Sequence, residues 1–335
     1  MKTLLRYAGG KSRAIKKITP FVKPYDTIVS PFLGGGSLEV HWASEGKKII
    51  AGDVFDILVN FWNILLNSPD TLADELQKID PNADKYKEIK EILIKTPEVQ
   101  SMLDGWQTDF YKREEEPISA LKLAAYYYFN HNTSYGPGFL GWPSKIYMDK
   151  DKWSKTIGKV KEFSCSNLSV LHQSFEKTIV ENKKSFLYLD PPYYTEESEG
   201  NKMLGGIYPM KNIPVHHRGF DHKLLRDLLL SHDGDFVLSY NNCETIRDFY
   251  SDFEHFFPQW HYSMDIGETR IGKNRQDRTS EQELGKVDQL TTKIEELEAE
   301  SVKDKKRIAL LKTERHEIMK KESHEILIVK RKKNE

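Results

Sequence analysis

The sequence predicts an α/β fold built on a largely parallel sheet, and three stretches carry that prediction. Asp26-Thr-Ile-Val-Ser30, followed by Pro31-Phe-Leu-Gly-Gly-Gly-Ser37 and an amphipathic run through Leu38, Val40 and Trp42, reads as strand, glycine turn and helix. Lys48-Ile-Ile-Ala-Gly52 reads as a second strand ending in Asp53, which completes a β-α-β arrangement with an acid at the strand tip. Phe186-Leu-Tyr-Leu189 is a short apolar run that stops at Asp190-Pro-Pro-Tyr193, the pattern of a buried strand. In open α/β sheets ligands sit beyond the carboxyl ends of such strands.

Length and charge set the outer bounds. A chain of 335 residues is ample for one α/β domain with additions, or for two domains. Lys and Arg number 50 against 51 Asp and Glu, so net charge argues neither for nor against nucleic acid and its distribution must decide. Cys165 and Cys243 are far apart and outside any metal-ligand spacing, which implies reduced thiols, no structural zinc and a cytoplasmic setting. No stretch approaches the roughly 18 apolar residues of a membrane span, and the amino terminus lacks a secretory apolar segment. The expectation is a cytoplasmic protein with no membrane partner and no metal.

Along the chain, Lys2, Arg6, Lys11, Arg13, Lys16, Lys17 and Lys23 all precede the first acid, Asp26. That concentration of charge suits either a phosphate-facing surface or a solvated helix face. Within it, Tyr7-Ala-Gly-Gly-Lys11 lets the backbone approach a ligand closely between an aromatic ring and a cation. The glycine turn at 34–36 lacks the last small residue of the dinucleotide fingerprint, because Glu39 stands there. Pyrophosphate is thereby disfavoured. A nucleoside with a zwitterionic tail fits better, which points to S-adenosylmethionine with Asp53 on its ribose.

The turn after the third strand carries the chemistry. Pro191 and Pro192 have no amide hydrogen, so this turn offers acceptors and few donors. A carboxylate oxygen of Asp190 and the carbonyl of Pro191 suit two hydrogens of one planar amino group, with Tyr193 against the ring that bears it. Such an amine is a poor nucleophile; oriented acceptors favour a pyramidal nitrogen and stabilise the charge that grows on it during attack. The plainer reading of Asp-Pro-Pro-Tyr is a turn that ends a strand.

Tyr7-Ala-Gly-Gly-Lys11, Pro31-Phe-Leu-Gly-Gly-Gly-Ser37, Asp53 and Asp190-Pro-Pro-Tyr193, in that order, resemble the Dam-like class of site-specific DNA adenine N6-methyltransferases. The likeness runs from the amino terminus to about Tyr250 and resumes near the carboxyl terminus. It implies a Rossmann-like S-adenosylmethionine-dependent methyltransferase fold with a helical target-recognition region. It further implies that Tyr7, Lys11, Phe32, Gly34, Gly36, Asp53 and Asp190 bind S-adenosylmethionine, and that Asp190, Pro191, Pro192 and Tyr193 form the catalytic turn. The partner is then double-stranded DNA, whose target adenine is flipped into the pocket.

On this reading residues 1–66 are the first part of the core, 67–160 the recognition region, 161–279 the rest of the core, 280–322 an inserted helical hairpin, and 323–335 the final strand with a basic tail. From Ser68 to about Leu103 the residues are charged and helix-forming, and Ile118–Phe129 is a further helix. Asn130 to Lys145, rich in amides, hydroxyls, aromatics and glycine, is the candidate reader of DNA, with Asn130, Tyr135 and Lys145 as contacts. Thr195 to His217 is a candidate flap. Phe220–Leu230 reads as a helix and Asp235–Tyr240 as a parallel strand, after which Asn241 has a candidate site role and Asn242 a helix-capping one. Arg270, Lys273 and Arg275, with Arg278, form a basic loop expected beside the DNA backbone.

From Ser280 to Glu322 apolar residues fall on a seven-residue grid, with Val287, Ile294 and Ile308 on one position and Leu290, Leu297, Leu311 and Ile318 on the other. A continuous helix of about 40 residues would carry the chain roughly 60 Å from its start. The expectation is two antiparallel helices turning near Ser301 to Lys305, a candidate surface for a protein partner or self-association. Glu325–Val329 reads as the last strand. Three alternatives to adenine methylation remain at this level: N4-cytosine methylation, an RNA amino-methyltransferase, and a DNA-binding scaffold with an inactive core.

Overall fold

The computed structural model describes residues 1–7, 9–96, 99, 118–135, 138–194, 220–258, 289–294, 296–297, 307, 311 and 325–331. Contacts divide the chain into two units, one of residues 1–258 with 324–335 and one of residues 259–323.

The first unit is organised by a seven-stranded sheet in the order β3-β2-β1-β4-β5-β7-β6. Its strands are β1 (Thr27–Ser30), β2 (Lys48–Asp53), β3 (Leu168–His172), β4 (Leu187–Leu189), β5 (Phe236–Asn241), β6 (Glu254–Phe256) and β7 (Glu325–Lys330). β1 to β5 pair in parallel, while β7 lies antiparallel between β5 and β6. Strand order reverses between β1 and β4, so a crevice opens at their carboxyl ends. The three residues of β4 are wholly buried, as a strand covered on both faces must be. An α/β fold with a mostly parallel sheet is therefore what this sequence forms.

Among the described residues, the unit's α-helices are α1 (Ile15–Val22), α2 (Ser37–Ser44), α3 (Asp56–Asn67), α4 (Pro69–Gln77), α5 (Ala83–Ile94), α6 (Ala120–Thr133), α7 (Lys150–Lys161), α8 (Phe175–Glu181), α9 (His222–Leu230) and α10 (Glu244–Phe249). Phe175 and Ile179 of α8, Leu225 and Leu229 of α9, and Ile246 of α10 bury one face of the sheet against Leu187, Leu189, Phe236 and Leu238. At roughly 1.5–3 kcal/mol for each fully buried large side chain, this apolar layer dominates what holds the crevice in shape. The α5 and α9 starts are fixed locally, since Asn82 accepts the Lys85 N–H and Asp221 the Leu224 N–H.

Some local expectations need correction. The helix read over Ile118–Phe129 runs on to Thr133, so Asn130 to Thr133 belong to it and not to the glycine-rich loop. Tertiary partners make the extension possible. Asn130 Oδ1 accepts the Leu140 N–H, Asn132 Oδ1 accepts the Arg6 N–H, and the Thr133 hydroxyl donates to the Phe129 carbonyl. Asn242 does not cap α10, whose N-cap is Cys243; its Oδ1 instead accepts from the Arg247 guanidinium at 2.6 Å. Strand β3 and helices α7 and α8 were not read from the sequence.

In the second unit, Leu290, Ile294 and Leu297 are buried, and Leu311 packs against Ile294 and Leu297. The flap at 195–217, the basic loop with Arg270, Lys273 and Arg275, and the turn at 301–305 lie outside the described residues.

Candidate active site

Two loops meet at the β1/β4 crevice, and one cation joins them. Gly10 N–H closes a turn onto the Tyr7 carbonyl at 3.1 Å, and the chain then enters a short 3-10 helix at Lys11–Arg13. That turn delivers the Lys11 ammonium inward, where the residue is only 5% exposed. It donates to both oxygens of Asp190 at 2.8 and 2.9 Å, to the Tyr193 hydroxyl at 3.0 Å and to the Gly9 carbonyl at 3.3 Å. A second carboxylate lies close, with Glu325 Oε1 3.6 Å from the same nitrogen. The other oxygen of Glu325 accepts from the Ser239 hydroxyl at 3.0 Å.

Burial acts against every charge in this cluster, and the pairing decides which survive. For Lys11, burial lowers the pKa but Asp190 and then Glu325 outweigh it, and the ammonium is held above its ordinary value. Burial pushes the Asp190 carboxyl up, against the pull of Lys11. Glu325, 3% exposed, is pushed up by burial to about 7 despite Lys11. Glu39 on α2 is likewise raised by burial to about 7, the opposing effect being its 2.7 Å hydrogen bond from the Ser30 hydroxyl.

The glycine turn forms a cradle beside this cluster. Tyr7 lies so close over it that a Cβ on Gly35 would fall 2.4 Å from the Tyr7 Cβ, and one on Gly34 would fall 3.1 Å from the ring. Gly36 has φ +60°, which glycine adopts without the penalty other residues meet. Asp53, at the tip of β2, accepts the Gly34 N–H at 2.9 Å and the Phe55 N–H at 3.0 Å, so it ties the turn to the start of α3. Trp62 donates its indole N–H to the Gly34 carbonyl at 3.1 Å. Phe32 stacks on Phe175 and meets Phe220 edge-on, with ring centroids 5.5 and 5.7 Å away. Backbone exposed to close approach, an aromatic wall and an acid at the neighbouring strand end suit a nucleoside carrying an amino-acid tail. Among the described residues no group of three or more His, Cys, Asp or Glu is placed to hold a metal ion.

The structure thus gathers Tyr7, Lys11, Gly34, Gly36, Asp53, Asp190 and Tyr193 around one crevice. Pro191 is buried and Pro192 half-buried behind the turn. Tyr193 is half-buried with its hydroxyl turned inward onto Lys11, and its ring centroid lies 6.3 Å from that of Tyr240. Of the residues expected to meet DNA, Tyr135 is 62% exposed and Lys145 is exposed. Asn130 is fully buried, and its role is to hold the Leu140 backbone from within α6. The exposed rings include one the sequence reading did not single out, Trp142, which is 69% exposed. Lys90 donates to the neighbouring Gly141 carbonyl at 3.1 Å, 5.8 Å from that ring's centroid. Glu325 and Glu39 were missed as members of the site; Glu325 sits at a strand end, whose neighbours local patterning does not name, whereas Asn241, at the end of β5, had a candidate role and lies beside Tyr194.

In comparison with known families, the family model for D12 class N6 adenine-specific DNA methyltransferases matches residues 7–264. The match begins at Tyr7 and contains the glycine turn, Asp53 and Asp190-Pro-Pro-Tyr193. No curated protein matches the chain.

Proposed function

Because the chain belongs to the D12 class of N6 adenine-specific DNA methyltransferases, we propose that it transfers a methyl group from S-adenosylmethionine to N6 of an adenine flipped out of duplex DNA at a specific sequence. The observation that carries this reading is the Asp190 carboxylate, fixed at the carboxyl end of β4 by both its contacts to Lys11, in the crevice that the glycine turn also lines.

Tyr7, Gly34, Gly36, Phe32 and Asp53 would hold S-adenosylmethionine, with Lys11 at the join between its pocket and the catalytic turn. When bound, it supplies an electrophilic methyl group on a positively charged sulfur. The chain's own residues then align and stabilise. Asp190 and the Pro191 carbonyl accept the two hydrogens of the adenine amino group, which turns the nitrogen lone pair toward the crevice and favours the positive charge it acquires. Lys11 fixes the Asp190 carboxylate in one orientation, so little reorganisation is left for the moment of reaction. Half-buried Tyr193 packs against the core beside Tyr240 with its hydroxyl on Lys11, and Tyr135, Trp142 and Lys145 present rings and a cation for the flanking duplex. The inserted 280–322 segment is read as a surface for a protein partner or a second copy. DNA association and reduced cysteines fit a cytoplasmic setting.

The test is incubation with unmethylated plasmid DNA and S-adenosylmethionine, digestion to nucleosides and mass spectrometry. N6-methyladenine is expected, lost in the folded Asp190→Ala variant. N4-methylcytosine as the product, or near-normal turnover by Asp190→Ala, would overturn the assignment.

A further inference from the structure

We infer that Glu325 is a positioning residue for methyl transfer: it receives the Lys11 ammonium when the amino group of the target base takes a place on Asp190. This rests on the adenine-methylating function proposed above. The observation behind it is an overfull acceptor. Lys11 spans both Asp190 oxygens at 2.8 and 2.9 Å, so the base amine must share or displace an ammonium that already lies there. A buried ammonium left without a partner is strongly unfavourable. The carboxylate poised to prevent this is Glu325.

Its geometry fits the part. The Ser239 hydroxyl donates to Glu325 Oε2 and the Tyr193 hydroxyl also supports the carboxylate, whereas Oε1 is sealed from solvent and accepts no hydrogen bond, with the Lys11 nitrogen 3.6 Å away. A shift on the order of 1 Å brings that nitrogen to charge-assisted hydrogen-bond range of Oε1. Lysine suits such a move, being a compact charge with three rotatable donors on a flexible stem. The groups facing Glu325 are Lys11, Asp190 and Tyr193 from the two loops, Tyr188 from β4 and Ser239 from β5. Among the described residues facing it, Lys11 is the cation, so the charge of ionised Glu325 is directed at the Lys11 ammonium. Glu325 is the first residue of β7, paired in register with Asn241, and lies beyond the residues matched by the family model.

Two variants test the inference in single-turnover methylation with saturating S-adenosylmethionine and DNA, across pH. Glu325→Gln keeps the shape and the Ser239 contact but removes the charge; the rate at pH 8 is expected to fall roughly tenfold or more, with cofactor KM little changed. Ser239→Ala withdraws a donor from Glu325 and so favours its protonated form. It is expected to move the acid limb of the rate profile to higher pH, and to move nothing when added to Glu325→Gln. A Glu325 that merely fills space would leave that limb in place in Ser239→Ala, and this result overturns the inference even if Glu325→Gln does not fold. Wild-type rate and profile in a folded Glu325→Gln protein overturn it equally. A wild-type protein that methylates no DNA would count against the proposed activity, whereas an active wild type with an indifferent Glu325→Gln counts against this inference alone.

Discussion

The side chain of Asn241 brackets the backbone of Tyr194: its Oδ1 accepts the Tyr194 N–H and its Nδ2 donates to the Tyr194 carbonyl, both at 2.9 Å. A primary amide carries an acceptor and donors side by side, so it satisfies both groups at once. Asn241 ends β5, and Tyr194 is the residue after the catalytic turn, so the pair ties that turn to the strand beside it.

Asn241→Ala should therefore loosen the turn without touching the reacting atoms. Each hydrogen bond contributes about 1 kcal/mol, and a misaligned Asp190 costs rate more than binding. The expected outcome is a fall of roughly tenfold in kcat, with KM for S-adenosylmethionine within about twofold of wild type. Asn241→Asp, which accepts but cannot donate, should fall between the two. Initial-rate kinetics on a DNA substrate checks the ordering.

Gly35→Ala tests the cradle. The added methyl would fall 2.4 Å from the Tyr7 Cβ and must push that residue off the glycine turn. Tyr7 also stacks on His131 of α6, with ring centroids 5.6 Å apart and planes 8° from parallel, so it has little room to retreat. Affinity for S-adenosylmethionine, measured by calorimetry, should fall by at least about tenfold, which is roughly 1.4 kcal/mol or more. Affinity equal to wild type would show that the Tyr7 wall is no part of the pocket.

What was legible in the sequence follows from how far each feature's cause lies along the chain. The glycine turn after β1 and the proline turn after β4 announce themselves because their backbone restrictions are local. Lys11 and Asp190 were read as members of one site, but their direct pairing was not, since it depends on the parallel contact of β1 with β4. Glu325 looked like the edge of an apolar run, and only the β5–β7 pairing places it beside Ser239 and Lys11. The helix α6 overran its expected end because Arg6, far from Asn132 in the chain, and Leu140, in the loop that folds back after the helix, supply hydrogen bonds to Asn132 and Asn130. Strand β3 was missed because an edge strand with the exposure pattern of Leu168–His172, half of it facing water, has no apolar run to betray it.

Glu39 offers a test of the buried electrostatics that is independent of catalysis. It stands where a dinucleotide-binding helix would carry a small residue, and it is buried against Ser30 with its carboxyl pushed up to about 7. A carboxyl whose folded pKa lies above its unfolded value favours the fold most while protonated, below about pH 4.5. That contribution is lost as pH rises toward and through 7, where the folded protein must ionise a buried acid that the unfolded chain ionises freely. Glu39→Gln keeps an oxygen for the Ser30 hydroxyl and removes the ionisation. Relative to wild type, its stability should therefore rise between pH 5 and pH 8, by up to about 3 kcal/mol for a shift of this size. Chemical denaturation of both proteins across that range measures the difference directly. A constant offset would mean that Glu39 ionises in the folded protein as readily as in the unfolded one.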